Sequence, residues 1–141
     1  MNKTYIPKTS PEHTWYLIDA KNQTLGRICT KIASMLKGKT NTNYTPHFIN
    51  KSYIIVINAE HIQVSGQKKS QKIYYRHTGK PGSLKRENFG QLQKRIPNRI
   101  IEKAVKGMLP KNILGRTLFT HLKVYTSAFH PHDAQNPIIL S

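Results

Sequence analysis

The chain has 141 residues, with 23 Lys+Arg against 6 Asp+Glu and a formal net charge of +17. This length suits one domain, which can bury roughly 68–70% of its unfolded surface. Hydrophobic residues make up 37% of the chain and come in periodic blocks, which excludes a wholly disordered protein.

The single cysteine, Cys29, rules out an intrachain disulfide and fits a reducing compartment. Met1 to Pro11 lacks the apolar core of a secretory signal, and is too short and too proline-punctuated for an amphipathic transit helix. The longest apolar run, Tyr53 to Ile57, is far below the roughly 18 residues of a membrane span. A soluble protein with no membrane contact is expected.

Trp15-Tyr16-Leu17-Ile18 reads as a buried strand ending at Asp19. Leu25, Ile28, Cys29, Ile32, Ala33 and Leu36 then recur with helical spacing and define one apolar helix face. Thr24 is placed to cap this helix, and Gly38 to end it in a left-handed turn. Its polar face carries Arg27, Lys31 and Lys37. The branched run Tyr53 to Ile57 predicts a strand covered on both faces. Ile62 and Val64 suggest a second short strand, Lys68, Lys69 and Lys72 a basic loop, and Ile73-Tyr74-Tyr75 another strand. His77 to Gly82 is a loop. Phe89, Leu92 and Gln93 suggest a short amphipathic turn. Pro97 opens a helix through Ile100, Ile101, Ala104, Val105 and Met108, which Pro110 stops. Leu114 to Leu122 reads as helix and Leu122 to Tyr125 as a last strand, followed by an extended tail.

Alternating strands and helices predict an α/β fold: a three-layer α/β/α single domain with a mainly parallel sheet of about four strands. The expected division is an N-terminal extension 1–14, a core 15–126 and a C-terminal tail 127–141.

A charge of this size opposes compaction until a partner neutralises it, and nucleic acid does so through phosphate contacts. The basic residues fall in several clusters. Lys68, Lys69 and Lys72 lie beside Tyr74, Tyr75, Arg76 and His77, with Lys80, Lys85 and Arg86 next. Lys and Arg there neutralise phosphates, Gly79 and Gly82 let backbone approach a ligand, and Tyr or His stack on unpaired bases. One of Tyr74 and Tyr75 is expected in the core, because strand side chains alternate. Lys103, Lys106, Lys111 and Arg116 form a second cluster around Gly107 and Gly115. No helix-turn-helix, zinc-finger or RRM signature concentrates the readout. This spread suits a protein embedded in a large folded RNA.

Other chemistry is poorly supported. Ala33 to Thr40 fits a relaxed phosphate-loop pattern, yet it lies at the end of a helix whose N–H groups are already bonded. His130 and His132 could pair at a metal with His121 or Cys29, but a structural zinc site wants four well-spaced ligands, usually with paired cysteines. No nucleophile signature is present. No cofactor, metal site or small-molecule substrate is expected, and no catalytic residue.

Several segments together carry a family resemblance. They are Thr24-Leu25-Gly26-Arg27, Tyr44-Thr45-Pro46-His47, Asn58-Ala59, His77-Thr78-Gly79, Val105 to Pro110, Leu114-Gly115-Arg116 and Leu122 to Tyr125. In order and spacing the chain resembles the bacterial-type family of large-subunit ribosomal protein thirteen, from about Trp15 onward. Its two ends look most like cyanobacterial and plastid members. The resemblance implies a non-catalytic α/β/α protein that binds large-subunit ribosomal RNA early in assembly and stays beside neighbouring ribosomal proteins. It implies RNA contacts by Arg27, Lys39, Tyr44 to His47, and the loops His77 to Arg86 and Lys106 to Arg116. The full candidate set is Arg27, Lys31, Lys39, Tyr44, His47, Lys68, Lys69, Lys72, Arg76, His77, Lys80, Lys85, Arg86, Lys106, Lys111, Arg116, His130 and His132. The expected location is the ribosome of the plastid (chloroplast) stroma, with the bacterial cytoplasm as the alternative. A free regulatory RNA- or DNA-binding protein is the rival function. Two departures from the family stand out: Asn50-Lys51-Ser52 replaces an acidic Gly-Asp turn, and Ser127 replaces a glycine, with Phe129 after it free to fill a neighbour's pocket.

Overall fold

A computed structural model describes residues 13–140. Residues 1–12 of the expected N-terminal extension lie outside them. Strand β1 (Thr14–Asp19) leads into helix α1 (Leu25–Leu36), and strand β2 (Ser52–Ile57) follows. A short helix α2 (Lys68–Gln71) precedes the antiparallel pair β3 (Ile73–His77) and β4 (Leu84–Asn88). Helices α3 (Phe89–Arg95), α4 (Asn98–Met108) and α5 (Ile113–Thr120) come next, then strands β5 (Leu122–Val124) and β6 (Ile138–Leu140). The main sheet has the order β5-β2-β1-β6 and is parallel throughout. The α/β domain with a parallel four-stranded sheet is as the sequence predicts, but its four strands are not all the expected ones.

Ile62 and Val64 do not form a strand. Their segment makes one parallel bridge, Thr24 to Gln63. Ile73 to Tyr75 is a strand, but in a separate hairpin with β4. The fourth strand of the main sheet comes from the tail, where Ile138, Ile139 and Leu140 pair with Tyr16, Leu17 and Ile18. Lys68 to Gln71 is helical where a loop is expected.

Register explains the core. Tyr16 and Ile18 lie beside Ile54 and Val56 and share their face. Against that face pack α1 and α4, through Ile28, Ile32, Leu36, Ile100, Ile101 and Val105, and α3 extends the same core beside α4 through Phe89 and Leu92. The predicted apolar stripe of α1 is buried in full. β2 lies between two strands, and Ile54, Ile55 and Val56 are wholly inaccessible, as its continuous branched sequence requires. On the opposite face Trp15 stacks on Tyr53 at 4.5 Å, and His132 of the tail packs on Trp15 at 5.3 Å.

Caps fix where the helices stand. Thr24 has the extended conformation of a cap residue, but its side chain makes no cap bond. The Leu25 N–H instead donates to the Gln63 carbonyl at 2.9 Å, so a tertiary contact replaces the expected local one. Gly38 takes the left-handed turn, φ +75°, with the Lys39 N–H bonded to the Ser34 carbonyl. Those bonds leave no phosphate-loop geometry at this helix end. Buried Asn50 completes the stop: its Nδ2 donates to the Met35 carbonyl at 2.9 Å and to Ser52 Oγ at 2.8 Å. The divergent Asn50-Lys51-Ser52 turn is thus tied into the end of α1. At the other departure, the Ser127 carbonyl accepts a hydrogen bond from the Asn58 N–H at 3.1 Å. Asn88 and Gln91 form a reciprocal capping box at α3, and Asn112 caps α5 through the Gly115 N–H at 2.8 Å.

His121 supplies a pH dependence. It is buried beside Tyr53, with ring centroids 4.5 Å apart, and its Nδ1 has no partner among the described residues. Burial lowers its pKa, and the charges of His13 and Lys123 lower it further. Hydrogen bonding to the backbone at Asn50 and Ser52 opposes this without cancelling it. The folded chain therefore holds His121 neutral, and the unfolded chain binds the proton more readily below about pH 6.5. Its contribution is full above that pH and is lost as pH falls. The thermal midpoint is expected to drop between pH 7.5 and 5.5, and less so in His121→Phe. Equal drops in the two proteins would show that His121 does not set the profile.

Candidate nucleic-acid interface

Cations project from three parts of this scaffold. All thirteen candidate lysines and arginines are exposed. Arg27, in the first turn of α1, meets Lys68 and Lys72 at a cavity of about 600 Å³ that Ala104 and Met108 of α4 close. Lys31 and Lys39 lie farther along and just past the same helix. Beyond Gly38 the chain runs through turns that expose Tyr44 and His47, the latter against Phe48 at 4.9 Å. Lys69 belongs to α2.

The hairpin carries Arg76, His77, Lys80, Lys85 and Arg86. Its tip bends through Gly79 and Gly82, with φ of +93° and +73°, where an L side chain would be strained. His77 Nδ1 accepts the Gly79 N–H at 2.9 Å, holding one edge of the imidazole against the backbone of the tip. Cross-strand partners share a face, so Tyr75, His77, Leu84 and Arg86 look outward and Tyr74, Arg76, Lys85 and Glu87 look inward. Tyr75 is 56% exposed, and Ile73 and Leu84 are also exposed beside it. Tyr74 packs against the core and burial pushes its phenol pKa up. Of the two tyrosines, then, Tyr74 is the inner one. Two ammonium groups lie over its ring, Lys103 at 5.2 Å and Lys72 at 5.7 Å from the centroid.

The third part is the α4–α5 corner. Lys106 rests over the Phe119 ring at 5.7 Å, and Lys111 and Arg116 flank the Asn112 cap. His130 and His132 are half-buried within the tail. His132 Nε2 is 2.8 Å from the Tyr125 hydroxyl, and His130 Nδ1 is 3.5 Å from Asp133. Among the described residues no group of His, Cys, Asp or Glu is arranged to hold a metal ion. Cys29 is wholly buried, which pushes its thiol up to about 12 and removes it as a nucleophile. No helix of the described residues is long and apolar enough to cross a membrane.

The structure adds cations that sequence reasoning left out. Arg95 and Arg99 join Arg76, Lys85 and Lys103 around a cavity of about 490 Å³ between the hairpin and helices α3 and α4. A sequence signal existed for part of it, since Arg99 and Lys103 are four residues apart and share a helix face. Nothing local places β3 and β4 across from them.

Comparison with known proteins follows the same lines. Residues 13–131 match the family described as Ribosomal protein L13. The chain is 60% identical to the large ribosomal subunit protein uL13c of Pyropia yezoensis over 137 residues, covering 97% of this chain and 96% of the relative. It is 57% identical to the large ribosomal subunit protein uL13 of Prochlorococcus marinus (strain NATL1A), covering 100% and 95%. It is also 57% identical to that of Synechococcus elongatus, covering 100% and 94%. With a match that spans the whole sheet-and-hairpin scaffold except the last strand, the chain belongs to the ribosomal protein L13 family.

Proposed function

We propose that this chain is a structural constituent of the large ribosomal subunit, which binds large-subunit ribosomal RNA, supports early assembly and performs no catalysis. The observation that carries this is near-complete alignment, at 57–60% identity, with relatives named as large ribosomal subunit proteins. The physical support is a rigid α/β core whose exposed cations stand on several segments. Lysines and arginines neutralise closely packed phosphates, and the core fixes where they stand. Arg27, Lys68 and Lys72 serve as one part of the interface, the hairpin as a second and Lys106 to Arg116 as a third. Tyr44, His47, Tyr75 and His77 are available to stack on unpaired bases. His130 and His132 shape the tail, which presents Phe129, 78% exposed, to a neighbouring ribosomal protein.

The site of action is the plastid ribosome in this reading. The support is the likeness to the chloroplast protein uL13c, and the cyanobacterial relatives make the bacterial cytoplasm the alternative. Sedimentation of native lysate through a sucrose gradient at rising salt tests the function. The chain is expected to co-migrate with the large subunit until the subunit itself falls apart. Recovery at the top of the gradient at mild salt would instead identify a free RNA- or DNA-binding factor. Repeating the gradient with ribosomes from isolated plastids tests the location.

A further inference from the structure

The cavity between the hairpin and α3–α4 concentrates positive charge that the carboxylates lining it do not balance. Arg76 and Lys85 stand directly opposite each other on β3 and β4, and like charges in that position destabilise a strand pair. Arg99 and Lys103 line the same cavity from α4, at the four-residue spacing where like charges also cost stability. Among the described residues lining it, the only carboxylate is Glu87. That group is committed: both its oxygens accept from Arg95 Nη2, at 2.6 and 2.9 Å. Arg95 is thereby held, and the other four cations face the cavity with no carboxylate left for them.

We propose that this groove seats the sugar–phosphate backbone of an RNA strand, with about two consecutive phosphates between Arg99 and Lys103 on one wall and Arg76 and Lys85 on the other. The proposal rests on the RNA-binding reading above and deepens it by naming a seat. An anion there converts both repulsions into attractions, and guanidinium groups suit bidentate phosphate contact. The cations are side chains on two strands and a helix, with no glycine-rich nest of backbone N–H groups. That favours a polymer's spaced charges over the clustered phosphates of a free nucleotide. Its volume, about 490 Å³, falls in the range of sites that enclose small ligands, enough for a short stretch of backbone.

The test titrates the full chain against deproteinised large-subunit ribosomal RNA between 50 and 200 mM salt. The double variant Arg99→Gln/Lys103→Gln is expected to lower the slope of log affinity against log salt by about 1.4 to 1.8. Over that range its salt-driven loss shrinks by roughly tenfold. Its thermal midpoint should change little, because the repulsion removed is set against the lost contact of Lys103 with the Tyr74 ring. Glu87→Gln is expected to act with the opposite sign, strengthening binding and steepening the slope. An unchanged slope in the double variant, while the wild type binds, would overturn the groove proposal alone. Failure of the wild type to bind this RNA would overturn the ribosomal reading with it. Should the double variant not fold, Glu87→Gln decides, and unchanged or weaker binding there overturns the seat. Competition by millimolar adenosine monophosphate at wild type but not at the double variant would reassign the groove to a free nucleotide.

Discussion

Between 50 and 200 mM salt, the affinity of this chain for large-subunit ribosomal RNA is expected to fall by about 10³ to 10⁵-fold, the range for six to ten phosphate contacts. The thirteen exposed candidate cations, spread over several segments of the chain, can supply that number. Formal charge alone does not set the slope. A lysine that reaches only bulk solvent releases no bound counterion from the RNA, so the measured slope counts the contacts made. Arg116→Ala is expected to reduce it by about one unit, and Lys106→Gln likewise. Glutamine at Lys106 also removes the ammonium that lies over Phe119, so the thermal midpoint of this variant is measured beside its slope to separate lost stability from lost phosphate contact. A slope unchanged in either variant removes that residue from the interface. A wild-type slope near zero would mean that the charge serves something other than RNA binding.

Gly115→Ala is expected to be the most damaging single methyl in the chain. A Cβ at Gly115 would overlap the backbone carbonyl of Pro110, which no side-chain movement relieves. Gly115 is buried in the first turn of α5, and its N–H is the group that Asn112 caps. Relieving the overlap moves either the Pro110–Asn112 turn or the helix, and with the helix go Leu118 and the approach to β5. Overpacking typically costs about 1–3 kcal/mol, and a backbone obstacle belongs at the upper end. For a domain of this size that corresponds to a thermal midpoint lower by roughly 10 °C. Gly107→Ala is the control, since a Cβ there meets nothing within 4 Å and the helix gains propensity. Comparable midpoints for the two variants would show that the α5 corner yields easily, and that the close approach of Gly115 to Pro110 does not constrain it.

The same corner shows how reading and structure divide. Sequence spacing alone determined the buried face of α1, its glycine stop, the doubly covered strand β2, the proline boundaries of α4 and the helix after them. Each is written in neighbouring residues: a period near 3.6, a branched run, or a backbone restriction of glycine or proline. Charge determined the class of partner, because an excess of +17 is a property of the whole chain and needs no coordinates.

Only the tertiary structure decided which strands share a sheet. No local pattern separates Ile73 to Tyr75 from the strands of the main sheet. Its pairing with Leu84–Asn88 depends on a polar strand, Lys85-Arg86-Glu87, that reads as a loop until it has a partner. Ile138 to Leu140 is too short to declare itself and becomes a strand by pairing with β1, more than a hundred residues earlier. The α1 cap moved from the Thr24 side chain to the Gln63 backbone for the same reason. The groove follows from these pairings, since Arg76 and Lys85 meet Arg99 and Lys103 only once the hairpin folds back on α4. A contact between distant residues costs chain entropy and is offset by burial, and neither quantity is a local property of the sequence.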